Sequence, residues 1–302
     1  MNSKLMKFIK DPGAVFTSLG HRELLNWIPD KTYLKIAYFV SMGKRLNLDH
    51  PQTYNEKIQW LKLNYRKPIM TQCVDKYEVR KYVADTIGEK YLIPLVGGPW
   101  DSFDEIDFDT LPDRFVLKCT HDSGGLIICR DKSKLDRMQA KKKIEACMRH
   151  EFYWGVREWP YKDLHPRIIA EAYMEDSSTN ELRDYKFFCF DGIVKALFVA
   201  SERQTAGVET KFDFFDADYQ HLPFTNGHPN AAKVPEKPVC FEQMKVLAAR
   251  ISEGFPHVRV DFYEVNGRVY FGEITFYHWS GLMPFEPEAW DMTFGEWINI
   301  AK

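Results

Sequence analysis

The 302-residue chain has no run of about 18 apolar residues, so no helix of it is expected to span a bilayer. Its nearest approach, YLKIAYFV at 33–40, is too short and has lysines beside it. Neither charge sign dominates. Forty-one Lys and Arg face 43 Asp and Glu, which leaves no broad basic footprint for nucleic acid. The six cysteines (Cys73, Cys119, Cys129, Cys147, Cys189 and Cys240) form no CxxC pair and no zinc spacing. With no signal peptide in view, they are expected to be free thiols in a reducing cytoplasm. There are no repeats and no low-complexity tracts. Aromatic residues are plentiful, at 15%, and a disordered chain is poor in them. The length suits one large domain or two to three compact subdomains. One local asymmetry stands out: residues 1–45 hold eight Lys and Arg against three Asp and Glu. That segment reads as buried helix with a solvated basic rim, or as a peripheral contact with an anionic membrane surface.

The first third is expected to be helical. NEKIQWLKL (55–63) places Ile58, Trp60, Leu61 and Leu63 roughly on one face, with Thr53 or Asn55 as N-cap. VDKYEVRKYVADTIG (74–88) starts at Asp75, aligns Val79, Tyr82 and Val83, and stops at Gly88. RFVLKCT (114–120) and LIICR (126–130) read as strands joined by the turn HDSGG. A helix is expected over 134–154, with Leu135, Met138, Ile144 and Met148 facing the core. RIIAEAYM (167–174) is a short buried strand. DYKFFCFDGIVKALFVAS (184–201) is a hairpin turning at Asp191-Gly192, and HVRVDFYEVNGRVYFGEITFYHWSG (257–281) a second one around Asn266-Gly267. This order predicts an α+β fold, not a doubly wound one.

Several polar residues sit where such strands would be apolar. Lys118 ends a strand before two glycines, a pattern that brings backbone N–H groups and a point charge to an anion and also occurs in plain hairpins. Glu171 and the backbone of Ala172–Met174 could meet a nucleotide, or simply reach solvent. Lys186 shares a face with Asp184 and Phe188, and could snorkel or enter a phosphate site. Arg259 and Asp261 share a face, as do Glu273 and Thr275. Asp261, Glu273 and Thr275 together could hold a hard cation, or form a solvated face with an Arg–Asp pair. A two-residue loop at Asn266-Gly267 would set Asp261 opposite Gly272 and put Glu273 on the other face. A shared metal therefore predicts a three-residue loop with a bulge and Gly267 at positive φ.

Taken in order, DKYEVRKYV, FVLKCTHDSGG, AEAYME and RVDFYEVNGRVYFGEIT resemble the ATP-grasp superfamily. PQTYNEKIQWLKL, RDYKFFCFDG and FGEITFYHWSG are similar to its TupA-like branch. The resemblance implies two α+β subdomains gripping ATP behind a mostly helical N-terminal segment. It suggests units at 1–74, 75–168 (small subdomain with the glycine-rich flap) and 169–302 (large subdomain with the metal hairpin). By the same resemblance, Lys76, Lys118 and Lys186 contact ATP phosphates, and Ser123, Gly124 and Gly125 close over them. Glu171, Ala172, Tyr173 and Met174 hold adenine, and Glu175 the ribose. Arg259 stabilises transition-state charge with Lys118 and Lys186, while Asp261 and Glu273 bind Mg²⁺. Thr275 stands where many relatives have asparagine. The implied activity is ATP- and Mg²⁺-dependent joining of an amine or amino acid to a carboxylated sugar of a cell-surface polysaccharide precursor, through an acylphosphate. Phosphoryl transfer to a sugar hydroxyl, or a non-catalytic assembly role, are the alternatives. Arg157, Arg167, Arg183 and Arg203 are candidate clamps for the acceptor's anionic group.

Overall fold

Three helices lead the chain: α1 (Pro12–His21), α2 (Asp30–Met42) and α3 (Tyr54–Asn64). The computed structural model describes residues 12–122, 124–177, 182–202 and 208–300. Helix α3 opens on a capping box. Thr53 Oγ1 accepts from the Glu56 amide and the Glu56 carboxylate accepts from the Thr53 amide, both at 3.2 Å. That settles Thr53 as the cap, and the Asn55 amide turns instead to the Asp291 carboxylate at 2.9 Å. Helix α4 (Pro68–Val74) follows, then α5 (Val79–Ile87). Helix α5 starts later than the sequence pattern suggested. Asp75 caps the turn before it, accepting from the amides of Tyr77 and Glu78, and Gly88 ends it at φ 111°.

Strands β1 (Leu95–Trp100), β2 (Phe115–Cys119), β3 (Leu126–Cys129) and, after α6 (Arg137–Met148) and the short α7 (Tyr153–Val156), β4 (Ile168–Ala172) form an antiparallel sheet in the order β1-β4-β2-β3. Helix α6 packs on it through Ala140, Ile144 and Cys147. Asp136 caps α6, so the helix is shorter than the expected 134–154, and Leu135 precedes it. Met138 was expected in the core but is 83% exposed, because the buried stripe runs through 140, 144 and 147 on the other side of the helix.

The second sheet is built from β5 (Asp184–Phe190), β6 (Ile193–Ser201), β7 (Lys211–Asp216), β8 (His221–Leu222), β9 (Val258–Val265) and β10 (Arg268–Thr275). Its order is β10-β9-β5-β6-β7-β8, antiparallel throughout. Asp191 and Gly192 turn β5 into β6 with φ 49° and 79°, as an Asp-Gly hairpin requires. Helix α8 (Phe241–Ser252) covers one face, setting Phe241 against Phe187. Aromatic rings from Phe188, Phe198 and Phe214 line the other face, where Tyr54 of α3 and Phe294 of α9 (Ala289–Trp297) close the core. Each fully buried Phe contributes about 1.5–3 kcal/mol. The fold is α+β, as the sequence pattern required. All six cysteines are free and buried. Among the described residues no helix is long and apolar enough to cross a membrane.

Candidate functional site

The β9–β10 hairpin turns on two residues, not three. Asn266 and Gly267 both take positive φ (51° and 72°), and Val265 pairs with Arg268. The expected three-residue loop is therefore absent, although Gly267 does have the expected sign of φ. The missing residue is supplied further along. Phe271 lies opposite Phe262, yet Glu273 lies opposite Asp261, so Gly272 is the extra residue of a bulge. A Cβ there would come within 3.1 Å of the Asp261 carbonyl oxygen and of the Tyr263 ring. Only the total residue count between turn and site fixes the face, and a bulge within the strand corrects it as well as a longer loop does. Asp261 and Glu273 thus share a face, with Arg259 and Thr275 as the next pair.

On that face Arg259 organises a closed network. Its Nε and Nη2 grip Asp261 at 2.7 and 2.8 Å, Nη2 also donates to Thr275 Oγ1 at 2.9 Å, and Nη1 donates to His278 Nδ1 at 2.7 Å. Since guanidinium can only donate, His278 accepts at Nδ1 and carries its proton on Nε2, which reaches Asn226 Oδ1 at 3.0 Å. Burial, with Arg259 adding to it, holds the His278 pKa well below its ordinary value. Lys186 contacts Asp261 from β5 and lies 3.6 Å from Asp184. Asp261 is wholly buried. Burial alone would push its pKa up, but Arg259 and Lys186 outweigh that and hold it below the usual carboxylate range. Burial pushes Lys186 down, with Asp261 opposing. Thr275, expected as a possible metal ligand, accepts that bond from Arg259 through its hydroxyl. Glu273 is only half-buried and accepts no hydrogen bond from a described residue. Sequence reasoning passed over His278 and Asn226, which lie 19 and 33 positions from Arg259 and meet it only in the fold.

Between the two sheets lies a cleft of about 290 Å³. Val116, Leu126 and Ile128 line one side, Leu182 and Tyr263 the other, and Ala172, Tyr173 and Met174 run along its edge. A flat apolar slot bordered by backbone suits a purine base. Lys118 stands at its inner end, 2.5 Å from Glu171, and Arg80 of α5 approaches the same carboxylate at 3.6 Å. The Glu171 side chain therefore faces cations. Arg80 was not singled out from the sequence, though its place four residues after Lys76 was visible. A narrower recess continues from Lys118 and Glu171 to Lys76, Arg80 and Glu273. Lys76 Nζ donates to the Asp122 carbonyl at 2.7 Å, at the root of the glycine turn. Gly125 has no room for a Cβ, which would lie 2.2 Å from Cys119 Sγ. Gly124 is exposed, and Ser123 lies outside the described residues. Glu175 sits on the rim, paired with Arg114 at 2.5 Å.

Of the arginines considered as clamps, the three that are described line neither this cleft nor its recess. Arg157 is buried, donates to the carbonyls of Trp154 and Leu25, and stacks on Tyr33. Arg167 pairs with Glu78 and Asp75. Arg183 lines a separate cavity with Ser201 and Lys233. Arg203 lies outside the described residues.

Helix α3 braces the segment that follows β10. Trp279, Ser280 and Gly281 all have positive φ (50°, 56° and 62°). Gln59 donates to the carbonyls of Ser280 and Gly281 at 2.8 Å, and Lys62 to those of Ser280 and Val156. The Ser280 hydroxyl meets the buried Glu158 carboxyl. Burial raises the Glu158 pKa to about 7, with Lys62 opposing, and lowers that of Lys62 to about 8. Between the ordinary value of 4.5 and about 7, the folded protein binds a proton at Glu158 that the unfolded chain has released. Stability from this group therefore falls as pH rises through that window. Glu158→Gln is expected to flatten the fall, read as the difference in melting temperature between the two ends of the window. An unchanged pH slope would remove Glu158 as its source.

The model of one family, the TupA-like ATPgrasp family, matches residues 56–299. The chain belongs to that family. Its fold is the ATP-grasp fold, which binds ATP and Mg²⁺ and serves a superfamily of ATP-dependent ligases. No curated protein matches the chain. Among solved structures it is similar to D-alanine–D-alanine ligase from Helicobacter pylori (13% identity, 82% of this chain and 69% of that one, TM-score 0.44). It is similar also to L-amino acid ligase from Bacillus licheniformis (13%, 76% and 50%, TM-score 0.46) and to N5-carboxyaminoimidazole synthase from Aspergillus clavatus (11%, 68% and 44%, TM-score 0.41). The chain spans about half the length of the last two. Among the described residues of this TupA-like protein, no three His, Cys, Asp or Glu side chains converge on one point. Asp261 and Glu273 put two carboxylates on one face, the first held by Arg259 and Lys186 and the second half-buried.

Proposed function

We propose that this TupA-like protein is a carboxylate–amine ligase that uses ATP and Mg²⁺ to join an amino acid or amine to a carboxylated sugar in bacterial cell-surface polysaccharide biosynthesis. The observation that carries the proposal is one continuous cleft. It runs from the apolar slot at Ala172–Met174, past Lys118 and Glu171, to Glu273, which stands opposite Asp261 in the hairpin. The units are 1–74, 75–168 and 169–302, with the acceptor entering beside the last. Such a protein works in the cytoplasm, with its basic N-terminal segment against the membrane where surface polymers are built.

In this mechanism the backbone of Ala172, Tyr173 and Met174 orients the base and Glu175 the ribose. Lys76, Lys118 and the turn at Ser123, Gly124 and Gly125 hold the phosphates. Asp261 and Glu273 would hold Mg²⁺, which when bound would supply neutralisation of phosphate charge. The acceptor carboxylate attacks the γ-phosphorus in line, ADP leaves, and an acylphosphate forms. Arg259 and Lys186 stabilise the charge on the transferred group. The amine then attacks the acyl carbon, inorganic phosphate leaves, and the amide remains. Flap closure over the cleft keeps water from the acylphosphate.

The test is ADP release with a panel of uronic-acid sugars and amines. ADP formation that needs both partners, with an amide product, supports the ligase. A phosphorylated sugar formed without an amine would favour the kinase alternative. Failure of ATP and Mg²⁺ to raise the melting temperature would favour the non-catalytic one. Lys118→Ala is expected to weaken nucleotide binding by about 1.5–3 kcal/mol, because it removes a charge-assisted phosphate contact. Titration calorimetry checks this, and unchanged affinity would leave Lys118 as a structural partner of Glu171.

A further inference from the structure

We propose that the outward face of α2 and of the turn before it is a docking surface for an anionic lipid bilayer. The proposal rests on the membrane part of the proposed function and is independent of its chemistry. Helix α2 buries Tyr33, Leu34, Ala37 and Tyr38 and turns Lys31, Lys35, Ile36 and Phe39 outward. Spacings of three and four put these four residues on one stripe. The turn before the helix adds two larger exposures: Trp27 at 79% and Leu24 at 59%, beside Phe39 at 55%.

Nothing in the packing of the described residues explains these exposures. Arg157 holds the turn from the inside, donating to the carbonyls of Leu25 and Ile28, and Tyr153 binds the Asp30 carboxylate. The segment is fixed, so its apolar side chains are presented on a rigid frame. Exposed apolar groups concentrated on one surface mark a contact.

Charge selects the partner. Arg22, Lys31, Lys35 and Arg45 are exposed and have no ion-pair partner among the described residues, while Lys44 is taken by Glu288. Of the acidic residues here, Asp30 is engaged by Arg157 and Arg66, leaving Glu23. This basic surface belongs to a chain of net charge −2, so the basic residues are gathered against the overall sign. Lysines flanking Ile36 and Phe39 can lay their stems along apolar surface and keep their charges at the headgroups. Trp27 has the amphipathic ring favoured at that depth. Anionic lipid fits both features.

The experiment is co-sedimentation of the full chain with vesicles of phosphatidylcholine alone or mixed equally with phosphatidylglycerol. Binding is expected to the mixed vesicles only, and to weaken with salt. Lys31→Gln with Lys35→Gln is expected to lower the partition about thirtyfold, from the surface attraction of two basic side chains. Trp27→Ala with Phe39→Ala should abolish binding at unchanged melting temperature, since both residues project from the fold. Three outcomes would overturn the proposal: no sedimentation with mixed vesicles, equal sedimentation of either double variant, or a self-association in solution that Trp27→Ala abolishes. The last would assign the face to a second copy of this chain. None of them bears on ADP release, which tests the ligase separately.

Discussion

Asp261→Asn is expected to cost the protein about 3–5 kcal/mol of stability as well as its turnover, because it removes the anion from a buried charge cluster. Asp261 has no solvent exposure and both its oxygens are engaged, by Arg259 in a two-point grip and by Lys186. The amide leaves two buried cations facing a neutral group. Glu273→Gln is the contrasting case. Glu273 is half-buried and accepts no hydrogen bond from a described residue, so its loss should leave the melting temperature nearly unchanged. Turnover should fall by at least about a hundredfold, since even outer partners of a metal site are worth 10–100-fold. Urea unfolding and ADP release, run on both variants, check the pair. Equal stability of Asp261→Asn and the native protein would mean that water reaches the cluster. Normal ADP release by Glu273→Gln would remove Glu273 from the metal site.

Inserting one residue between Phe271 and Gly272 is expected to abolish ADP release, since it shifts the phase of β10. With the two-residue turn and a one-residue bulge kept, Glu273 would stand opposite Val260, on the other face from Asp261, whereas deleting Gly272 would only remove the bulge and leave Glu273 opposite Asp261. Gly272→Ala keeps the residue count and hence the phase. It should retain turnover and cost about 1–3 kcal/mol from crowding against the Asp261 carbonyl and the Tyr263 ring. Comparing the two variants separates phase from packing. Full activity in the insertion would show that Asp261 and Glu273 need not share a face.

Much of the architecture was legible because it is written in local chemistry. Thr53 and Glu56 announce α3, Asp75 and Gly88 bracket α5, and Asp191-Gly192 demands a tight hairpin. Asn266-Gly267 was an equally clear two-residue signal, and a three-residue loop was expected only because the metal chemistry required the odd count. The sign of the bulge was present too: a lone glycine, Gly272, inside a strand otherwise rich in β-branched and aromatic residues. Met138 misled because an apolar residue in a first helical turn has no face until the rest of the helix docks.

The order of the motifs, from PQTYNEKIQWLKL to FGEITFYHWSG, was enough by itself to determine the TupA-like ATP-grasp family and the α+β class, since both depend on residue types and their succession along the chain. Only the tertiary structure decided which polar groups are already engaged. Arg259 is shared among Asp261, Thr275 and His278, Lys118 faces Glu171, and Arg157 is an internal brace for the N-terminal helices. A strand's alternation assigns each residue to one of two faces. Which face meets the cleft depends on register, and here a turn and a bulge set the register together. The partners on that face come from segments tens of residues away, brought close only by packing.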